Sequence, residues 1–339
     1  RGFECRCGQR SLAGTPFRAA QLVLPIMDDF DVSGVERKME NLSKLEAFKA
    51  LFPWWFKIAT KVILARLPVG GRIWQMIGLF RPGGMLDSDY AIGVFDRCYE
   101  AAGNPPPGFT FLELGPGDTL SSAVIGRARG AKFGWLVDAG SYASQNLSIY
   151  SELLVRLSEE TPDAGLGQLR KAPNVQTLIN LCDTAYLEDG LESLKKIPDD
   201  ACDFIFSNAV LEHVPKEQFF PIMVEFFRIL KPGGISPHMI DFRDHLGGDY
   251  NNLRFAEKLW EAPWFSQRSG FYTNRLQCSE VEAIMKDAGF NVTLSSVLPR
   301  DCTPSDRSTF NALFSNLDDG VFTVKEAMVI LEKPRITAK

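Results

Sequence analysis

The chain has little that ionises near neutral pH. Of its 339 residues only three are histidines, His213, His238 and His245. A neutral-pH base must come from these three or from a carboxyl group or lysine displaced by its surroundings. A strong charge of either sign is also missing, with 37 basic against 42 acidic side chains and a net charge of -5. That balance gives no global drive toward nucleic acid, which is not expected as a partner. The seven cysteines, Cys5, Cys7, Cys98, Cys182, Cys202, Cys278 and Cys302, are odd in number and scattered. They form neither a secreted disulfide framework nor a zinc motif, and the single-residue spacer of Cys5-Arg-Cys7 suits a metal poorly. No metal is expected, and free thiols point to a reducing compartment, the cytoplasm. Long apolar runs are absent as well, because Lys57, Lys61, Arg66 and Arg72 interrupt the most hydrophobic region. No segment reaches membrane-spanning length.

What is present is enough apolar material, 45% of residues, to build a substantial core. Residues 1–32 read as a leader or flexible arm. Arg1, Arg6, Arg10 and Arg18 stand there against Glu4 with no initiating methionine. This fits either an arbitrary chain boundary or a transit-like leader, which would place the protein inside an organelle. Residues 33–104 read as helical. Ser33-Gly-Val-Glu36 forms a capping box, and Leu42, Leu45, Phe48 and Leu51 follow at helical spacing. Further helices are expected at 54–67, 73–80 and from Ser88 to about Ala102, punctuated by Pro53, Pro68 and Pro82. The aromatic and basic face from Trp54 to Leu67 could lie on lipid, but packing on the core or against a second copy is the expected use, giving a homodimer contact.

The segment Phe109-Thr-Phe-Leu-Glu113-Leu-Gly115-Pro-Gly117-Asp118-Thr119-Leu-Ser121 reads as a buried strand, a glycine turn and a helix. Asp118 or Thr119 is placed to cap that helix, whose exposed N–H groups can receive a ligand. A glycine turn of this kind serves dinucleotides and S-adenosylmethionine alike. A dinucleotide fingerprint wants a third glycine where Leu120 stands, which weakens the pyrophosphate reading. Glu113 favours the methyl donor, because a carboxylate there can meet the cationic amino group of a methionine-like ligand. Lys132-Phe-Gly-Trp-Leu-Val-Asp138 reads as a second strand ending in an acid suited to ribose hydroxyls, which either cofactor class would use.

Downstream, Asp200-Ala-Cys-Asp203-Phe-Ile-Phe-Ser207-Asn208-Ala-Val-Leu-Glu212-His213-Val-Pro215 is an apolar strand with a polar exit, followed by Phe226-Phe-Arg-Ile-Leu-Lys231-Pro-Gly-Gly234. With the glycine turn, these residues resemble class I S-adenosylmethionine-dependent methyltransferases, in that family's order. The likeness spans roughly residues 109–333. Asp189-Gly190, Asp241-Phe-Arg243-Asp244-His245 and Tyr272-Thr-Asn274-Arg275 look like a bacterial-type subgroup acting on small molecules or glycans. The resemblance implies an α/β, doubly wound, seven-stranded Rossmann-like sheet behind an α-helical N-terminal segment. It implies S-adenosylmethionine as methyl donor, leaving S-adenosylhomocysteine. Glu113, Gly115 and Gly117 would hold the methionine end with Asp118 and Thr119 beside them, Asp138 the ribose, Asp189 and Gly190 the adenine, and Asn208 would face the cofactor.

Strands are expected near 109–114, 132–137, 184–187 and 203–207, from Gly234, at 291–298 and at 327–332, with a helix from Ser279. The catalytic domain is read as 105–339, with an aromatic lid insertion at about 239–278. Methyl transfer from a sulfonium needs positioning and, for a hydroxyl acceptor, removal of a proton. His245 and His213 are the candidate bases, with Asp241 or Asp244 to orient the His245 ring. Arg243, Tyr272, Asn274 and Arg275, with Asp241 and Asp244, are candidate contacts for a carboxylate, phosphate or sugar. A small metabolite or glycan hydroxyl is the expected acceptor. A thioether acid giving a sulfonium product, or a non-catalytic S-adenosylmethionine-binding subunit, are the alternatives.

Overall fold

The computed structural model describes residues 84–246, 250–266, 271–301, 304 and 307–335. The expected leader and the helices at 54–67 and 73–80 lie outside these residues. The described chain begins with α1 (Ser88–Ala101), whose N-cap Asp87 accepts the Tyr90 N–H at 2.9 Å. Then follow β1 (Thr110–Leu114), α2 (Ser121–Ala128), β2 (Phe133–Val137), α3 (Ser148–Glu160), α4 (Val175–Leu181), β3 (Thr184–Leu187), α5 (Leu191–Leu194) and β4 (Cys202–Asn208). A 3-10 turn at Leu211–His213 leads into α6 (Lys216–Ile229) and β5 (Leu230–Asp241). The chain continues through α7 (Glu257–Trp260), α8 (Pro263–Ser266), α9 (Cys278–Asp287), β6 (Asn291–Pro299), α10 (Ala312–Ser315) and β7 (Val324–Glu332).

The seven strands form one sheet in the order β3-β2-β1-β4-β5-β7-β6. The first five pair in parallel, while β7 runs antiparallel between β5 and β6. The order reverses between β1 and β4. Their carboxyl ends therefore diverge into the crevice where doubly wound sheets bind ligands. Strand alternation divides the core in two. Phe111, Phe204 and Phe206 meet Phe95 of α1 on one face, while Leu112, Leu114 and Ile205 meet Phe226 and Ile229 of α6 on the other. Burying each of these phenylalanines is worth about 1.5–3 kcal/mol. Strand five starts at Leu230, ahead of the expected Gly234, because Leu230 already pairs with Cys202 before a register shift.

Leu246, Trp260, Phe265 and Phe271 form an apolar cluster of their own, and the Trp260 indole N–H donates to the Thr273 carbonyl at 2.6 Å. Among the described residues no helix is long and apolar enough to cross a membrane.

Candidate active site

At the end of β1 the chain turns through Gly115 and Gly117, with φ of +73° and +68°. A side chain at Gly115 would also collide with Val210, its Cβ only 2.5 Å from a valine methyl. The Gly115 N–H donates to the Val137 carbonyl at 2.8 Å, tying the turn to β2. One residue beyond β2, the buried Asp138 carboxylate accepts the Gly117 N–H at 3.2 Å and the Ala139 N–H at 2.7 Å. Burial raises the Asp138 carboxyl, with the Ala139 and Gly117 N–H groups opposing. Two of its roughly four acceptor positions are thereby engaged, leaving acceptors for a diol.

Glu113 is buried, and its Oε2 has no hydrogen-bond partner. Burial pushes its carboxyl up to about 8, with the Ser122 hydroxyl opposing and Asp138 adding. A nearby cation would satisfy this orphaned acid. A Cβ built on Gly117 would meet nothing within 4 Å, so the turn opens onto space. An orphaned acid, an open glycine turn and a carboxylate with acceptor positions to spare are a set that S-adenosylmethionine could satisfy.

Asp118 and Thr119 do not cap α2 as expected. The N-cap is Leu120, which has no side-chain cap bond and whose N–H donates to the Tyr150 hydroxyl at 3.0 Å. Thr119 is drawn away, because its hydroxyl donates to the Met85 carbonyl at 3.1 Å and contacts the Ser121 hydroxyl at 2.9 Å. The Asp118 carbonyl accepts the Ser144 N–H at 2.9 Å. Gly190 sits over the β2 exit, donating to the Asp138 carbonyl at 2.8 Å, whereas the Asp189 carboxylate faces outward to Lys196 at 2.9 Å.

Asn208 ends β4, and its Nδ2 lies 3.3 Å from the Tyr90 hydroxyl. Tyr90 thus brings α1 to the mouth of the site. The sequence offered only one hint of it, an aromatic in the first turn of a helix and off its apolar stripe. The next residue, Ala209, has φ of +55°, a strained conformation costing of the order of 1–3 kcal/mol. Its N–H donates to the Met239 carbonyl at 2.9 Å, and Val210 then packs on Gly115. The strain bends the β4 exit toward the glycine turn.

That bend delivers Glu212 and His213. The His213 Nδ1 lies 2.7 Å from the Tyr272 carbonyl, which can only accept, so Nδ1 carries the proton. In the neutral ring Nε2 is therefore bare. Desolvation, with the His245 ring adding, lowers the His213 pKa and keeps the imidazole neutral at pH 7. The residue nonetheless keeps part of its surface open to solvent. Its ring centre lies 4.9 Å from that of His245, whose Nε2 is 3.8 Å from Asp241 Oδ2.

Glu212 is buried with neither carboxylate oxygen in a well-formed hydrogen bond, and burial pushes it up to about 8, the Asp241 carboxylate adding while the backbone N–H groups of Glu212 and Asp241 oppose. Sequence reasoning gave Glu212 no role, although an acid at the end of the apolar run Ala209-Val-Leu211 was a visible signal. Burial alone would raise Asp241, but His245 and Arg243 hold it well below the usual carboxylate range. The third histidine, His238, is buried inside the sheet, with Ser207 and Ser236 hydroxyls each 2.8 Å from its ring nitrogens. It packs against Phe226 and takes no place in the cleft.

The remaining substrate candidates are largely engaged within the protein. Arg243 forks onto Asp241 at 2.9 and 2.7 Å and reaches Glu326 at 2.7 Å. Asp244 accepts the Leu246 and Asn251 N–H groups, so Asp241 is the acid that faces His245. The Tyr272 hydroxyl donates to Glu261 at 2.7 Å. Asn274 clamps the 3-10 turn, donating from Nδ2 to Leu211 and Val214 carbonyls at 2.7 and 3.1 Å and from its N–H to the Glu212 carbonyl at 2.7 Å. Arg275 is buried, donates to the Phe255 carbonyl at 2.8 Å, pairs with Glu257 and lies over Trp260.

Residues 125–236 match the family model described as "Methyltransferase domain". No curated protein sequence matches. Among solved structures, the chain is similar to the YcgJ protein from Bacillus subtilis at 16% identity and a TM-score of 0.40, covering 73% of this chain and 99% of that one. It is similar to phosphoethanolamine N-methyltransferase 2 from Haemonchus contortus, in complex with S-adenosyl-L-methionine, at 14% identity and TM-score 0.40, covering 72% and 53%. An O-methyltransferase family protein from Burkholderia thailandensis is similar at 13% identity and TM-score 0.40, covering 75% and 58%. The chain thus spans only about half the length of the latter two. The domain match over residues 125–236, the sheet order and the glycine turn all agree with the resemblance to class I S-adenosylmethionine-dependent methyltransferases.

Proposed function

We propose that this methyltransferase moves the methyl group to a hydroxyl oxygen of a small metabolite or glycan seated against Glu212, His213 and His245. The supporting observation is the convergence of two imidazoles and a buried carboxyl at the β4 and β5 exits. Such a cluster serves an acceptor that must lose a proton. A thioether needs no deprotonation and would gain nothing from it.

When S-adenosylmethionine is bound it supplies a methyl group that is already electrophilic. Glu113, the glycine turn and Asp138 would hold it, and the protein's part is to align the acceptor and loosen its proton. Of the groups in the cleft, His213 is neutral and presents a bare Nε2 to that proton. Asp241 orients His245, and Asn274 holds the turn that carries His213.

Incubating the protein with a native small-molecule extract and methyl-labelled S-adenosylmethionine tests the reading by mass spectrometry. A labelled methyl ether is the expected product. Labelled sulfonium with no ether would replace this reading by the thioether alternative. Donor binding with no labelled product of any class would favour a non-catalytic subunit.

A further inference from the structure

We propose that Glu212, His213 and His245 together bind one divalent transition-metal ion of the zinc class. The inference rests on the reading that the acceptor docks at this cluster, and it differs from the expectation of no metal drawn from cysteine spacing. One ligand atom from each residue lies within 4.8 Å of the other two. Two imidazoles and a carboxylate are a donor set that suits zinc, cobalt or iron in their divalent states.

Three features separate this cluster from a chance meeting of polar groups. Glu212 is buried with neither oxygen in a well-formed hydrogen bond, an arrangement that costs several kcal/mol unless a cation or a proton relieves it. His213 is fixed by the Tyr272 carbonyl in the tautomer whose Nε2 is free to coordinate. His245 has its Nε2 3.8 Å from Asp241 Oδ2, an ion-pair distance longer than a hydrogen bond, and contributes one ring nitrogen to the cluster. Ligating histidines commonly have their second nitrogen held by a carbonyl or a carboxylate, as the Tyr272 carbonyl holds His213.

Ligand atoms across a tetrahedral zinc site are about 3.4 Å apart, given bonds of roughly 2.1 Å. The three side chains would close inward by up to about 1.4 Å from their present spacing, using that same geometry. Three protein ligands leave a coordination position open to the acceptor's oxygen. A hydroxyl held there becomes more acidic, as water does on zinc. With the ion bound, the His213 Nε2 is a ligand and no longer the direct proton acceptor it is in the metal-free cluster, so the released proton passes to solvent.

The test is a titration of the full chain with Co2+, read by visible absorption and by calorimetry. Saturable binding of one ion is expected, with ligand-field bands that weaken at least tenfold in affinity in Glu212→Gln and in His245→Ala. Thermal melts confirm that each variant is folded, and His238→Asn serves as a control outside the cluster. Absence of one-to-one binding, or binding unchanged in both cluster variants, would overturn the proposal. Labelled methyl transfer, measured before and after chelation, separates the two readings. A methyl ether formed at full rate by metal-stripped protein would sink the metal proposal and leave the hydroxyl acceptor standing. Metal binding without any methyl ether would remove the acceptor reading instead.

Discussion

The proposed donor side and the proposed acceptor side are built in opposite ways. Glu113, Gly115 and Gly117 are consecutive features of one strand and its turn, and Asp138 joins them through a single parallel pairing of β1 with β2. The acceptor side collects Glu212 and His213 from the β4 exit, Asp241 and His245 from the β5 exit, and the Tyr272 carbonyl from the stretch before α9. One is a local device repeated wherever a strand meets a glycine turn. The other exists only once the whole sheet and its insertion are folded.

If the two sides are separable, damage to one should leave the other's readout intact. The largest effect is expected from His213→Ala, which should lower kcat about 10²–10⁴-fold, the range for losing a group that handles a proton. Its S-adenosylmethionine affinity should stay within about twofold. An equal loss of donor affinity would show that the two sides act as one.

Gly115→Ala should strike the donor side and reach across to the acceptor side. The substitution combines a left-handed backbone with a Cβ driven into Val210, costing about 2–5 kcal/mol. Thermal unfolding should show the loss. Val210→Ala in the same chain should restore part of it, and no recovery would mean that backbone strain alone is responsible.

A smaller effect sharpens the electrostatics of the donor side. Glu113 is raised from 4.5 to about 8 by burial, so the folded chain keeps a proton that the unfolded chain has released between those values. Its contribution to stability therefore falls as pH rises through that window. A cationic ligand beside Glu113 should expel the proton. Calorimetry of donor binding at pH 7 in phosphate and in Tris should give different heats, and the difference should shrink in Glu113→Gln. Identical heats in both buffers would place the ligand's amino group elsewhere.

The same contrast explains what could be read from the sequence. The sheet was legible because Phe109 to Leu114, Lys132 to Val137 and Asp203 to Ser207 are apolar runs that end in turn chemistry, and β3 at Thr184–Leu187 falls where expected. The glycine turn was legible because its residues are contiguous. The cap was not, since nothing local says that Thr119 will bond to Met85. His213 and His245 were each visible, but their meeting depends on two strand exits 32 positions apart in the chain. Arg275 shows the reverse problem. An arginine beside aromatics reads as a ligand contact, and the fold engages its two terminal nitrogens with the Phe255 carbonyl and Glu257 while its buried Nε has no partner.

The most direct measurement is the affinity of the wild-type chain and of Asp138→Ala for S-adenosylmethionine by calorimetry. One-to-one binding by the wild type is expected, weakened tenfold or more in the variant, because hydrogen bonds to a charged acceptor contribute about 1.5–3 kcal/mol. No binding by the wild type, or equal affinity in the two proteins, would contradict a methyl-donor site at this turn.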